Sequence, residues 1–292
     1  MRQNNSFIAI ICMLLAMIFI TSGASLAKSL FPLIGVEATV GLRLTFAAIL
    51  LFIIFRPWRF TPKKTEWKVV IIYGVAMGAM NLSFYTAINR IPLGIALALE
   101  FTGPLAVALF SSRSKKDLLW VFFAIAGILL LLPLTKASEH IDPTGIAFAL
   151  FAGMCWAVYI VIGKRAVAGK HSGAIAAWGL LIGAIMIAPI AIGTTDIASI
   201  NQHTLIMGFG VALLSSAVPY TLELMALKRL PAKTFSIFTS LEPAIGAASG
   251  FIFLSEKLLP IHLLAIALVI TASAGSSYFS TRRPKVEVEF SA

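Results

Sequence analysis

Two glutamates lie inside long apolar stretches of the chain: Glu100 within Ile91–Phe110 and Glu242 within Ala232–Leu254. A carboxylate in hydrocarbon costs several kcal/mol unless it is paired, protonated or wet, and such residues usually mark a substrate or proton pathway. A third charge, Arg43, lies well inside another apolar run. Its guanidinium cannot lose its proton, so it needs an anion or a wet cavity. Two readings fit it: a structural counter-ion for Glu100 or Glu242, or a fork for the carboxylate of a substrate. For each glutamate the competing reading is a protonated carboxyl, hydrogen-bonded to a neighbouring helix as interior glue. Asn81, Tyr85, Trp156, Tyr159 and Tyr220 lie at similar depth and are candidates to line a cavity. Trp156 and Tyr159, one turn apart, would equally suit lipid or a packed neighbour. Glu223 fits pairing with Lys228 or Arg229 at the interface, and Lys28 is expected to snorkel to the headgroups.

The elements that must position these groups are membrane spans. Of 292 residues, 59% are hydrophobic and 12% charged, and the mean hydropathy is +0.96. That charged share is about half the usual share for a soluble chain. The net charge of +11 does not point to nucleic acid, because the basic residues cluster in short segments between apolar runs. Ten spans are expected, at 7–27, 38–55, 69–88, 91–110, 118–134, 144–163, 174–193, 205–227, 232–254 and 260–279. Most approach the ~20 residues that cross the hydrocarbon as a helix. The first is too long in its apolar region to read as a removable leader. Of the 23 Lys and Arg, 18 fall on one side of this arrangement and 4 on the other. Such a bias places both termini in the cytoplasm. Cys12 and Cys155 lie within apolar segments and make neither a disulfide framework nor a metal spacing.

An internal repeat is also expected. Arg90, Pro92 and Pro104 recur as Arg229, Pro231 and Pro243 at a constant shift of 139 residues. An odd number of spans per copy turns the copies opposite ways across the bilayer, with the site near the midplane of their interface. The reading is therefore an all-α membrane protein of ten helices in a 5+5 inverted repeat. Its units are 7–134 and 144–279, followed by a cytoplasmic tail, 280–292. Glu100 lies roughly 12 Å in from the outer end of its span and Glu242 roughly 16 Å in from the cytoplasmic end. The shift pairs Glu100 with Thr239, Glu242 with Gly103, and Asn81 with Tyr220. No HExxH, P-loop, Gly-x-Ser-x-Gly or His/Cys cluster is present, so no enzyme, metal site or cofactor is indicated. Transport would draw on an ion gradient or run downhill.

Two five-helix halves, with a proline in spans four and nine, resemble the drug/metabolite transporter superfamily and its paired EamA domains. The segment Gly23-Ala-Ser-Leu-Ala-Lys-Ser-Leu-Phe-Pro-Leu, the stretch from Ile91 to Arg113, Cys155-Trp156-Ala157 and Glu242-Pro243 narrow the resemblance to the threonine/homoserine exporters of enteric bacteria. It covers nearly the whole chain. It implies export of threonine and homoserine across the inner membrane in exchange for protons. A small zwitterion suits the charges already found. Its carboxylate would meet Arg43, its ammonium Glu100 or Glu242, and its hydroxyl Asn81, Tyr85 or Tyr220. The competing functions are a broader exporter of other amino acids or small amphipathic compounds, a channel and, more distantly, an intramembrane enzyme.

Overall fold

The computed structural model describes residues 2–59, 64–110, 117–131, 141–166, 172–219 and 238–280, together with Leu222, Ala226 and Phe235. Among these residues the secondary structure is entirely helical. In chain order the helices are α1 (Arg2–Phe55), α2 (Lys64–Ile88), α3 (Leu93–Glu100), α4 (Thr102–Phe110), α5 (Asp117–Leu131) and α6 (Pro143–Ala166). They continue with α7 (Ser172–Thr194), α8 (Gln202–Ala212), α9 (Glu242–Leu254) and α10 (Pro260–Ser280). Ile8–Phe55, Trp67–Ile88, Pro143–Gly163 and Gly173–Thr194 are long and apolar enough to cross a membrane. Large apolar side chains cover much of the outside, among them Phe122, Met154, Ile192 and Phe251. A bilayer, unlike water, makes that surface favourable.

Three departures from regular helices place the polar residues. First, α1 takes the place of two separate spans. Its helical pattern is broken only at Gly35, at φ 84° and ψ 165°. Glycine lacks the Cβ that makes positive φ costly, so one residue serves as the joint between the two arms, 2–34 and 36–55. The expected connection between spans one and two is thus helical, apart from this residue.

Second, the apolar stretch holding Glu100 is two helices, divided at Phe101. Pro104 lies in the first turn of α4, where its missing N–H costs little, so it starts a helix rather than kinking one. Pro243 does the same at the start of α9. Third, α8 runs into a π-helical turn, Leu213–Ala217, in which the Val218 N–H donates to the Leu213 carbonyl. Such turns recur at functional sites because they displace side chains from the α-helical face.

The helices interlock across the middle of the sequence. α2 packs on α6 and α7, α1 on α7 and α8, α3 on α9 and α6, and α5 on α10. Some approaches are close enough to require glycine. A Cβ on Gly103 would stand 1.9 Å from the Gly153 carbonyl oxygen, which pins α4 to α6. The main apolar core is built from α1, α2, α3, α6 and α7, and includes Leu30, Leu44, Ile88, Leu99 and Ile187. Buried glycine, alanine and serine at the contacts let the backbones approach, as is usual where lipid gives no hydrophobic drive to association.

Candidate functional site

Arg43 stands at the centre of the polar interior, on the second arm of α1. Its Nε donates to Ser215 Oγ at 2.7 Å and its Nη2 to the Ser215 carbonyl at 3.3 Å. Its Nη1 donates to Asn81 Oδ1. The guanidinium also lies over the Tyr85 ring, 5.1 Å from its centroid, a favourable cation–π placement. Asn81 and Tyr85 are one turn apart on α2, and Asn81 is itself held by a 2.8 Å bond from Nδ2 to the Met77 carbonyl. Ser215 Oγ donates to the Val211 carbonyl at 2.6 Å, which turns its lone pairs to Arg43.

All three Arg43 partners are neutral oxygens. Among the described residues neither glutamate comes within ion-pair distance of Arg43. The counter-ion reading is therefore not met by a direct ion pair in this conformation. A guanidinium has five N–H donors, so two remain for a further acceptor. Tyr85 is fully buried, and its hydroxyl has no hydrogen-bond partner of normal geometry among the described residues.

The two glutamates sit at helix ends. Glu100 is the last residue of α3, and Glu242 the first of α9. Both are buried. A helix carries partial positive charge at its N-terminus and partial negative charge at its C-terminus, so the two helices act on the two carboxyls with opposite sign. Glu100 is within electrostatic range of both Glu242 and Arg43.

A cavity of about 120 Å³ is lined by Arg43, Asn81, Tyr85, Glu100, Trp156, Ser215 and Glu242. A larger one of about 360 Å³ shares Arg43, Asn81, Trp156, Ser215 and Glu242, a size within the usual range for small-ligand sites. From Glu242 it runs past Tyr73, Tyr159, Leu51 and Ala176 toward the end of the bundle where α1 ends and α2 begins. Tyr73 and Tyr159 stack there at 4.7 Å, with a 3.1 Å bond between their hydroxyls. Trp156 meets Phe101, the residue dividing α3 from α4, edge to face at 5.2 Å. Trp156 and Tyr159 thus face the interior rather than lipid.

Seven of the residues singled out from the sequence, Arg43, Asn81, Tyr85, Glu100, Trp156, Tyr159 and Glu242, therefore line the two adjoining cavities. Tyr220 lies outside the described residues, as do Glu223, Lys228 and Arg229. Ser215, Tyr73 and Thr239 also line the space but do not stand out in the sequence. A serine in an apolar helix is ordinarily a packing residue. The repeat shift does carry a signal for Thr239, since it pairs that residue with Glu100. Lys28 does not snorkel: its Nζ is 2.6 Å from Glu256 Oε1. Among the described residues no group of three or more His, Cys, Asp or Glu is arranged to hold a metal.

Comparison with known proteins gives this interior its context. Threonine/homoserine exporter RhtA of Salmonella typhimurium is 48% identical over 286 residues, covering 98% of this chain and 97% of that protein. Threonine/homoserine exporter RhtA of Escherichia coli is 47% identical over 287 residues, with the same coverage. The uncharacterized transporter YwfM of Bacillus subtilis is 27% identical over 217 residues, covering 71% of this chain and 72% of that protein. One solved crystal structure superposes with a TM-score of 0.62 at 16% identity, covering 97% of this chain and 100% of the other, which shows a shared fold. The model of the EamA-like transporter family matches twice, at residues 7–133 and 143–278. With nearly every described helix inside those two matches, the chain belongs to the EamA-like transporter family and is a multi-pass membrane protein.

Proposed function

We propose that this protein exports threonine and homoserine across the bacterial inner membrane, by alternating access in exchange for protons. The substrate assignment rests on one observation: 48% identity over 98% of the chain with a threonine/homoserine exporter. The frame is ten spans in two inverted five-helix units, 7–134 and 144–279, with both termini and the tail 280–292 in the cytoplasm. Two successive family matches support that frame. So does a packing pattern that survives exchange of the units. α2 on α6 is matched by α8 on α1, while α3 with α9 and α5 with α10 map onto themselves. In this frame the larger cavity runs toward the cytoplasm.

The site suits a zwitterion that carries a hydroxyl. The two uncommitted donors of Arg43 take the substrate carboxylate, and the space between Glu100 and Glu242 takes the ammonium. Ammonium and proton then compete for the same carboxylates, and that competition is a route to antiport. Glu100 is the proton carrier in this scheme. It ends α3, where the helix dipole opposes a negative charge rather than supporting one. Glu242 starts α9, at the opposite pole. Tyr85, whose hydroxyl lacks a partner, is the group left to meet the hydroxyl of threonine or homoserine.

Two measurements test this. Overexpression should raise resistance to toxic threonine or homoserine, and collapse of the proton gradient should abolish the gain. Unchanged resistance would sink the substrate assignment. In proteoliposomes, Glu100→Gln should retain threonine–threonine exchange but lose its response to a pH gradient, whereas Glu242→Gln should weaken threonine binding. Gradient-driven export that persists in Glu100→Gln would remove Glu100 from the carrier role.

A further inference from the structure

At the end of the bundle away from the cavity's course, three elements meet at one carboxylate. Glu256, in the connection between α9 and α10, accepts from Lys28 Nζ at 2.6 Å on Oε1 and from the Leu93 N–H at 2.8 Å on Oε2. Lys28 lies on the first arm of α1, and Leu93 is the first residue of α3. Glu256 is largely buried, its side chain 11% exposed. It is also set in place by its own backbone. Ser255 adopts a left-handed conformation at φ 54°, and the Glu256 N–H donates back to the Gly250 carbonyl at 3.1 Å. A Cβ on Gly250 would stand 2.3 Å from Glu256 Oε2, so the carboxylate folds over a position that only glycine leaves open. Deeper in, Thr21 Oγ1 and Ser249 Oγ form a buried 2.8 Å bond between the first arm of α1 and α9.

These contacts tie the first family match to the second at the end away from the larger cavity. Lys28 and Leu93 belong to 7–133, and Glu256 to 143–278. A carboxylate bonded to a backbone N–H at a helix N-terminus and to an ammonium is a strong anchor, because both bonds are charge-assisted and the helix dipole adds to them. The helix it anchors is α3. All eight residues of α3 are buried, and its far end is Glu100. One rigid segment therefore has the Lys28–Glu256 pair at its outer end and a cavity carboxyl at its inner end, roughly 12 Å apart.

We infer that Lys28 and Glu256 form the outer gate of the transport cycle. They act as positioning residues that reach the substrate site through α3. The inference rests on the exporter reading. With the pair made, the outer side is closed and the cavity is reached from the cytoplasm. Releasing it lets α3 move away from α9, opens the cavity outward, and shifts Glu100 at the same time. Substrate discharge and exchange at Glu100 are thereby linked to the gate.

The test uses the full chain with Cys12 and Cys155 replaced by serine and Ala24→Cys as a reporter. Ala24 lies one turn below Lys28 and lines the smaller cavity. In right-side-out vesicles, a membrane-impermeant maleimide should label the reporter about tenfold faster in Glu256→Gln and Lys28→Met than in the parent, as the outward-open population grows. Lys28→Arg, which keeps a cation for Glu256 and leaves the carboxylate on the Leu93 N–H, should label near the parent rate. The half-saturating threonine concentration on the cytoplasmic face should rise in Glu256→Gln and Lys28→Met, because fewer molecules face inward. Parent-like labelling in both Glu256→Gln and Lys28→Met overturns the gate. Labelling in Lys28→Arg as fast as in Lys28→Met also overturns it, because general loosening and not loss of the pair would then be the cause. Threonine export by the parent is measured in the same vesicles. Its absence would overturn the substrate assignment while the labelling still decides the gate.

Discussion

At the scale of single residues, the interior is organised around one charge that cannot be switched off. Arg43 is bonded to Asn81 and Ser215 and backed by Tyr85, so its position is fixed before any substrate arrives. A preorganised fork loses little freedom when a carboxylate binds, which favours affinity. Tyr85 gives the clearest prediction at this scale. A site that hydrogen-bonds a substrate hydroxyl discriminates strongly against analogues lacking it, because its own buried polar group is otherwise left unpaired. Tyr85→Phe should lower the preference for threonine over valine by roughly tenfold or more, read by competition in proteoliposome exchange. An unchanged preference would remove Tyr85 from substrate recognition. The meeting of Arg43, Asn81, Tyr85, Glu100, Trp156 and Glu242 was legible in the sequence because charged and amide groups are rare at such depth in apolar runs. The Lys28–Glu256 pair was not. Its members are 228 residues apart and lie at span ends, where isolated charges ordinarily meet water and headgroups.

At the scale of elements, function depends on helices that stop inside the bundle. The prolines mark spans four and nine in the sequence, and the structure has helix starts beside them, at Thr102 and Glu242. The break falls at Phe101, ahead of Pro104, because proline is accommodated in a first turn rather than in a helix interior. The π turn at 213–217 has no comparable sequence signature, so Ser215 could not have been singled out. The Gly103–Gly153 approach fixes α4 against α6. Gly103→Ala forces that backbone contact apart and should cost roughly 1–3 kcal/mol, visible as a lower melting temperature in detergent. An unchanged melting temperature would mean that the two helices separate freely. At the start of α6, the hydroxyl and N–H of Thr144 and then Arg90 hold the Asp142 carboxyl below its usual range. A depressed carboxyl contributes stability that is present above its unfolded value of about 3.9 and is lost as pH falls through the folded value. Asp142→Asn should therefore lower the melting temperature at pH 7, with the difference shrinking as pH falls below about 3.9 and through the depressed folded value. A difference that persisted in acid would point to packing instead of charge.

At the scale of the whole molecule, the matched packing of the two halves suits the alternation proposed above, since each conformation could then be built from the contacts of the other. The π turn breaks that match. It lies in the helix running on from α8, while α2, its counterpart in the exchange of units, is described as regular α-helix throughout. Arg43 donates two of its three hydrogen bonds to the serine this turn presents. The proposed seat of the substrate's carboxylate is therefore lopsided within the proposed two-fold frame. Under the proposed cycle the inward-facing and outward-facing forms would not be mirror images of equal energy, and uptake and release would differ in affinity even when no ion gradient is applied. Threonine–threonine exchange at equal pH should show unequal half-saturating concentrations on the two faces of the membrane, and equal values would mean that the π turn leaves the two end states balanced.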